Sequence, residues 1–170
     1  MDILAHGLGA LAFILTILGF ACPNDRRLQQ LNLLGCMAWA LHFALLGLFS
    51  ATGMLVLACL MIAAAYFGRD RISYRLWQVN LGIVPFAAGA ALMGMMPWVD
   101  LLPVIGGFLI NTGIVRCRGH TMSAMIGGGE IFWIGAGLAV GSPTAIAGNL
   151  VNLSALSVRV YRSKRAGSLE

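Results

Sequence analysis

Between two long apolar segments the chain reads Gly68-Arg69-Asp70-Arg71-Ile72-Ser73-Tyr74-Arg75, a short polar break carrying three arginines. Breaks of this kind hold every basic residue of the protein. Arg26 and Arg27 follow the first apolar segment, and Arg69, Arg71 and Arg75 follow the third. Arg116 and Arg118 follow the fifth, while Arg159, Arg162, Lys164 and Arg165 follow the seventh. The gaps between them, Phe49–Gly53, Met96–Asp100 and Gly141–Pro143, contain no Lys or Arg. Short loops rich in Lys and Arg stay cytoplasmic because carrying them across the bilayer is costly. The pattern predicts an all-α integral membrane protein of seven transmembrane helices, N-terminus outside and C-terminus cytoplasmic.

Composition points the same way. The chain is 59% hydrophobic and 10% charged, with mean hydropathy +0.88, too apolar for a soluble domain. A net charge of +5 would suggest nucleic acid in a soluble protein. Here it marks topology and favours anionic lipid headgroups. Seven spans of about 20 residues use most of the chain, so residues 1–165 read as one transmembrane domain with no room for a soluble catalytic one.

The helices are expected near Ile3–Cys22, Leu28–Leu48, Met54–Gly68, Leu76–Met95, Trp98–Val115, Thr121–Val140 and Thr144–Val160. The first lacks a basic leader and is nearly full span length, which favours an uncleaved N-out anchor over a signal peptide. Ala166–Glu170 resembles a cloning scar. Cys22, Cys36, Cys59 and Cys117 show no CxxC spacing, so reduced thiols are expected, with no metal and no cofactor.

Sliding the chain by ninety positions lays Arg26 on Arg116, Arg69 on Arg159, and Gly47-Leu48 on Gly137-Leu138. Cys59 then meets Asn149. Each unit has three helices, with a basic loop after the first and an uncharged turn after the second. A three-helix unit copied once would arrive upside down, and the helix near residues 76–95 restores its direction. The expected architecture is therefore three, one, three, with residues 3–68 and 98–160 as parallel repeats about an axis along the membrane normal.

This arrangement resembles the SWEET transporters and, more broadly, the superfamily of PQ-loop proteins and KDEL receptors. Members carry Pro-Gln near the inner end of each repeat's first helix. Here the equivalents are Pro23-Asn24 and Gly113-Ile114, and Arg116 to Ser123 is similar to the basic entry of the sixth helix. The size, the run from Gly19-Phe20 to Arg26-Arg27, Trp39-Ala40-Leu41-His42-Phe43 and Leu46-Gly47 resemble the YgjV-type bacterial inner-membrane proteins. The resemblance implies a multi-pass protein of the bacterial inner membrane. It also implies that Asn149 takes the place of the substrate-lining Asn on a SWEET-like third helix, with Cys59 departing from that pattern in the first repeat.

Polar side chains inside the spans are costly and few. Trp39 and His42 share a face of the second helix, Glu130 and Trp133 of the sixth, Asn149 and Asn152 of the seventh. Counted at about 1.5 Å per residue, His42, Glu130 and Asn149 fall roughly 8–15 Å below the outer edge, which predicts a substrate pocket. A buried Trp is more often packing, and a transmembrane Asn commonly bridges helices. His42 reads equally as a satisfied structural imidazole. Glu130 is different, because no Lys or Arg lies at its depth to pair with it. It is expected to be protonated, to bond a partner such as His42 or Asn149, or to face a wet cavity. Gly127-Gly128-Gly129, Gly135 and Gly137 permit close packing or leave a cavity open. Asn80 and Asn111 read as an inner gate or as caps of helix ends.

The leading expectation is a small secondary transporter working by alternating access on a small polar or cationic metabolite. Proton coupling would run through Glu130, with His42 tuning it. Its partners are membrane lipids and the solute, with no nucleic acid, and a homo-oligomer is allowed. A receptor or scaffold of the same fold that moves nothing is the second reading. An intramembrane enzyme is the weakest: there is no HExxH, paired aspartate or Ser–His–acid set.

Overall fold

The computed structural model describes residues 2–21, 25–117 and 119–165. The marks at Cys22, Pro23-Asn24, Arg118 and Ala166–Glu170 lie outside them. Seven helices follow in order: α1 Asp2–Ala21, α2 Asp25–Leu45, α3 Phe49–Tyr66, α4 Asp70–Leu92, α5 Leu101–Arg116, α6 Gly119–Ala139 and α7 Pro143–Arg165, with a 3-10 turn at Trp98–Asp100. Phe49–Tyr66, Trp98–Arg116 and Thr121–Ala139 are long and apolar enough to cross a membrane. Ile3–Leu18 and Gln30–Leu45 are shorter apolar stretches. Leu41, Val56, Val79, Phe86, Ile131 and Leu138 stand out on the surface, as suits a bundle solvated by lipid.

Two expected loops are helix instead. Phe49–Gly53 belongs to α3, and Ala51 is fully buried. Gly47 is the reason: at φ +77° it takes the left-handed conformation that an L side chain resists. Leu48 N–H then bonds the Phe43 carbonyl at 3.0 Å, and the chain has reversed before Phe49. Gly68, at φ +67°, does the same ahead of α4. Asp70, Arg71 and Arg75 therefore start a helix rather than line a loop. Asp70 suits that place, since a carboxylate is favoured at a helix N-terminus.

The ninety-position offset also fails. α2 and α6 both contain 21 residues. Their starts, Asp25 and Gly119, lie 94 apart, as do the α3 and α7 starts Phe49 and Pro143 and the turn glycines Gly47 and Gly141. At ninety, Gly47 would fall on Gly137, inside α6. The arginines are loosely placed near helix ends and tolerate such a slip, whereas turn glycines do not.

Each helix packs on the next in sequence through α5, α6 and α7, and α3 also meets α5 while α1 meets α7. The core joins Phe43, Met54, Val104, Trp133, Ala136 and Ala145. Trp77 Nε1 donates to Thr112 Oγ1 at 3.1 Å, fixing α4 against α5. The Arg116 guanidinium covers the Trp77 and Tyr74 rings at 5.0 and 5.3 Å.

Candidate functional site

The six residues picked out from sequence divide into two layers. The layer around His42 is closed. His42, near the end of α2, is fully buried. Its Nδ1 lies 2.7 Å from the Ala5 carbonyl of α1, and its Nε2 lies 2.8 Å from Ser142 Oγ. A carbonyl can only accept, so Nδ1–H donates to Ala5, and in the neutral ring Nε2 accepts from the Ser142 hydroxyl. Ser142 Oγ in turn accepts from the Ala145 N–H at 3.2 Å, capping α7 just ahead of Pro143. His42 thus braces α1, α2 and α7 with both nitrogens used. The expected bond to Glu130 is not made.

Rings complete this layer. Trp39 lies 5.4 Å from His42 and 6.1 Å from Phe43, and Phe43 lies 5.5 Å from Trp133. Trp39 rests on Gly148 and Trp133 on Gly106; a Cβ at either glycine would lie about 3 Å from the indole. Asn149 spends its Nδ2 on the Ala145 carbonyl of its own helix, at 2.8 Å. It does not reach Glu130 either.

One turn deeper the bonding is incomplete. Glu130 is 7% exposed, and Asn152 Nδ2 donates to its Oε1 at 3.2 Å, joining α6 to α7. Glu130 Oε2 and Asn152 Oδ1 are buried and have no partner among the described residues. Two adjacent oxygens therefore lack donors, and each buried unmet group costs about 1–3 kcal/mol. Gly129 explains how the carboxyl is placed: a Cβ there would strike the Gly106 carbonyl and Ile110, so α5 and α6 touch backbone to backbone beneath Glu130. In the glycine run, Gly129 serves packing, while a Cβ at Gly127 or Gly128 would make ordinary contacts.

The residues missed by sequence reasoning are Cys36 and Cys59. Their side chains lie against each other between α2 and α3. The turn-based offset of 94 supplies the signal. It lays Gly35-Cys36-Met37-Ala38-Trp39 on Gly129-Glu130-Ile131-Phe132-Trp133. Among the described residues no three His, Cys, Asp or Glu side chains converge as metal ligands. Asn80 and Asn111 lie within α4 and α5 rather than at their ends, so neither is a cap. Asn80 has no partner for either amide atom, and Asn111 none for Nδ2, among the described residues.

A family model described as "Bacterial inner membrane protein", Imp-YgjV, matches residues 3–167. The chain is 27% identical over 167 residues to the inner membrane protein YgjV of Escherichia coli (strain K12), covering 96% of this chain and 88% of that protein. No solved structure matches.

Proposed function

We infer function from one premise: the chain belongs to the Imp-YgjV family of bacterial inner membrane proteins. It is a multi-pass protein of that membrane. We propose that it is a small secondary transporter working by alternating access on a small polar or cationic solute, with Glu130 and Asn152 as the central contact. The observation that carries this reading is the pair of donor-less oxygens, Glu130 Oε2 and Asn152 Oδ1, at membrane depth. An ammonium group supplies the donors and the charge they lack, and a proton on Glu130 serves in its absence. An acid kept within a span without a basic partner is costly unless a solute or proton path uses it.

Seven spans in a three-one-three plan suit this function, with α4 as the inverting helix and the N-terminus outside. The matched offsets support that plan. So does the packing, in which the first helix of each unit meets the third helix of the other, α1 on α7 and α5 on α3. The two units would rock about the Glu130 level. The ring contacts of Trp39, Phe43 and Trp133 would form the outer closure. This reading assigns no catalytic step, cofactor or metal. His42, with both nitrogens hydrogen-bonded to Ala5 and Ser142, does not bond Glu130, so this reading places coupling first on Glu130.

The test is solute-driven proton flux into proteoliposomes holding a pH dye, with methylammonium, ethanolamine and putrescine as probes. Wild type should move protons with at least one amine, and Glu130→Gln should abolish the movement at unchanged thermal stability. Equal flux in the two proteins sinks the reading. Thermal stabilisation by an amine without any flux would establish the receptor reading instead.

A further inference from the structure

The strongest unmet demand outside the Glu130 contact is on α4 and α5. Asn80 is wholly buried and Asn111 is 4% exposed. Neither Nδ2 has an acceptor among the described residues, and Asn80 Oδ1 has no donor. Transmembrane amides normally earn their place by bonding a neighbouring helix, and native structures leave few buried polar groups unmet. The Trp77–Thr112 bond sets the register between these antiparallel helices. Asn80 lies three residues from Trp77 and Asn111 one residue from Thr112, both towards the turn joining α4 to α5, so their levels differ by about 3 Å. Two amides on neighbouring helices thus sit at similar levels, both buried and both lacking acceptors.

The chemistry differs from that at Glu130. There the unmet atoms are oxygens alone and call for donors. On α4 and α5 two NH2 groups call for an oxygen acceptor, and Asn80 Oδ1 calls for a donor that a hydroxyl supplies. We propose that Asn80 and Asn111 are a second contact for the transported solute, and that this solute is amphoteric: a cationic donor end meets Glu130 and Asn152, and an oxygen-bearing end, carboxylate or hydroxyl, meets the two amides. This rests on the transport reading and names its substrate class.

Two measurements test it without the natural solute. The first is thermal stability of the purified full chain. An amide held only for a solute costs the empty protein, so Asn80→Leu should raise the melting temperature by about 2–4 °C. A fall would show that the amide holds the fold and would overturn the proposal. The second is thiol labelling in membrane vesicles, read as added mass over the wild-type background. The reagents are a cationic (ethylammonium) and an anionic (ethylsulfonate) methanethiosulfonate. Asn111→Cys, with Asn80→Cys as its check, should react, whereas a dry interface would leave both unlabelled and overturn the proposal. Beside Glu130, Asn152→Cys should favour the cationic reagent by on the order of tenfold, and that preference should vanish or invert at Asn111→Cys. The same cationic preference at both positions would overturn the amphoteric class. Failure here is separable from failure of the transport reading: unlabelled amide positions leave the Glu130→Gln result untouched, and normal flux in Glu130→Gln leaves the labelling untouched.

Discussion

Gly35-Cys36-Met37-Ala38-Trp39 on α2 and Gly129-Glu130-Ile131-Phe132-Trp133 on α6 occupy the same turns of two helices of equal length. In each, the residue after the glycine meets the following helix. Cys36 lies against Cys59 of α3, and Glu130 accepts a hydrogen bond from Asn152 of α7. One region places two small, weakly polar thiols there. The other closes with a carboxyl and an amide and leaves two oxygens without donors. A shared backbone position can therefore be structural in one half and chemically unfinished in the other. The unfinished half is where a solute is expected.

The largest expected effect tests whether the His42 end is as unequal as the centre. At the offset of 94, fully buried His42 corresponds to Ala136, which is equally buried. His42→Ala should cost about 3–5 kcal/mol, by opening a cavity and stranding the Ala5 carbonyl and the Ser142 hydroxyl. Unfolding by SDS titration in mixed micelles measures it. A cost under about 1 kcal/mol would mean the brace between α1, α2 and α7 is dispensable, and would return His42 to the list of solute contacts.

The paired glycines give the next effect and the sharpest contrast. A Cβ at Gly129 would sit 2.6 Å from the Gly106 carbonyl oxygen, which as backbone cannot yield. The nearest atom to a Cβ at Gly35 is Thr16 Oγ1, at 3.5 Å, an ordinary contact. Gly129→Ala should cost about 1–3 kcal/mol. Gly35→Ala should be neutral or slightly stabilising, since alanine is the better helix former. The same micelle titration reads both. Equal costs would mean that α5 and α6 do not approach more closely than α1 and α2.

Much of this architecture is legible in the sequence, and the failures share a cause. Helix number and the choice of Glu130 follow from apolar runs, arginine spacing and the cost of a lone acid in lipid. Arginine spacing gives an offset of ninety where the helix starts and turn glycines give 94, because arginines near helix ends can shift by a turn, whereas Gly47 and Gly141 are held by backbone conformation. Ala51 looked like loop because an uncharged, Ser/Thr/Gly-containing stretch also suits a helix start once glycine has made the turn. By depth alone, His42 is one candidate partner for Glu130. Its actual partner, Ser142, lies 100 residues away, and only packing selects it. Cys36 and Cys59 carry no short motif, and they meet only because α2 and α3 fold back at Gly47.

The smallest expected effect bears directly on the two central pairs. Asn152→Leu removes the donor to Glu130 Oε1 and leaves a buried carboxyl with neither oxygen bonded. Cys59→Ala removes one weakly polar thiol, a small side chain that behaves mainly as an apolar filler. Hydrogen bonds between transmembrane helices average about 0.6 kcal/mol, so Cys59→Ala should cost less than about 1 kcal/mol. Asn152→Leu adds the penalty of the stranded carboxyl and should cost about 1–2 kcal/mol. Combining Asn152→Leu with Glu130→Leu separates the two contributions. If the penalty comes from the stranded acid, the double variant should recover most of the loss, because removing both partners of a buried pair is nearly neutral where removing one is not. A double variant no more stable than Asn152→Leu alone would mean that Asn152 stabilises α7 by packing, and that the two pairs differ in size rather than in polarity.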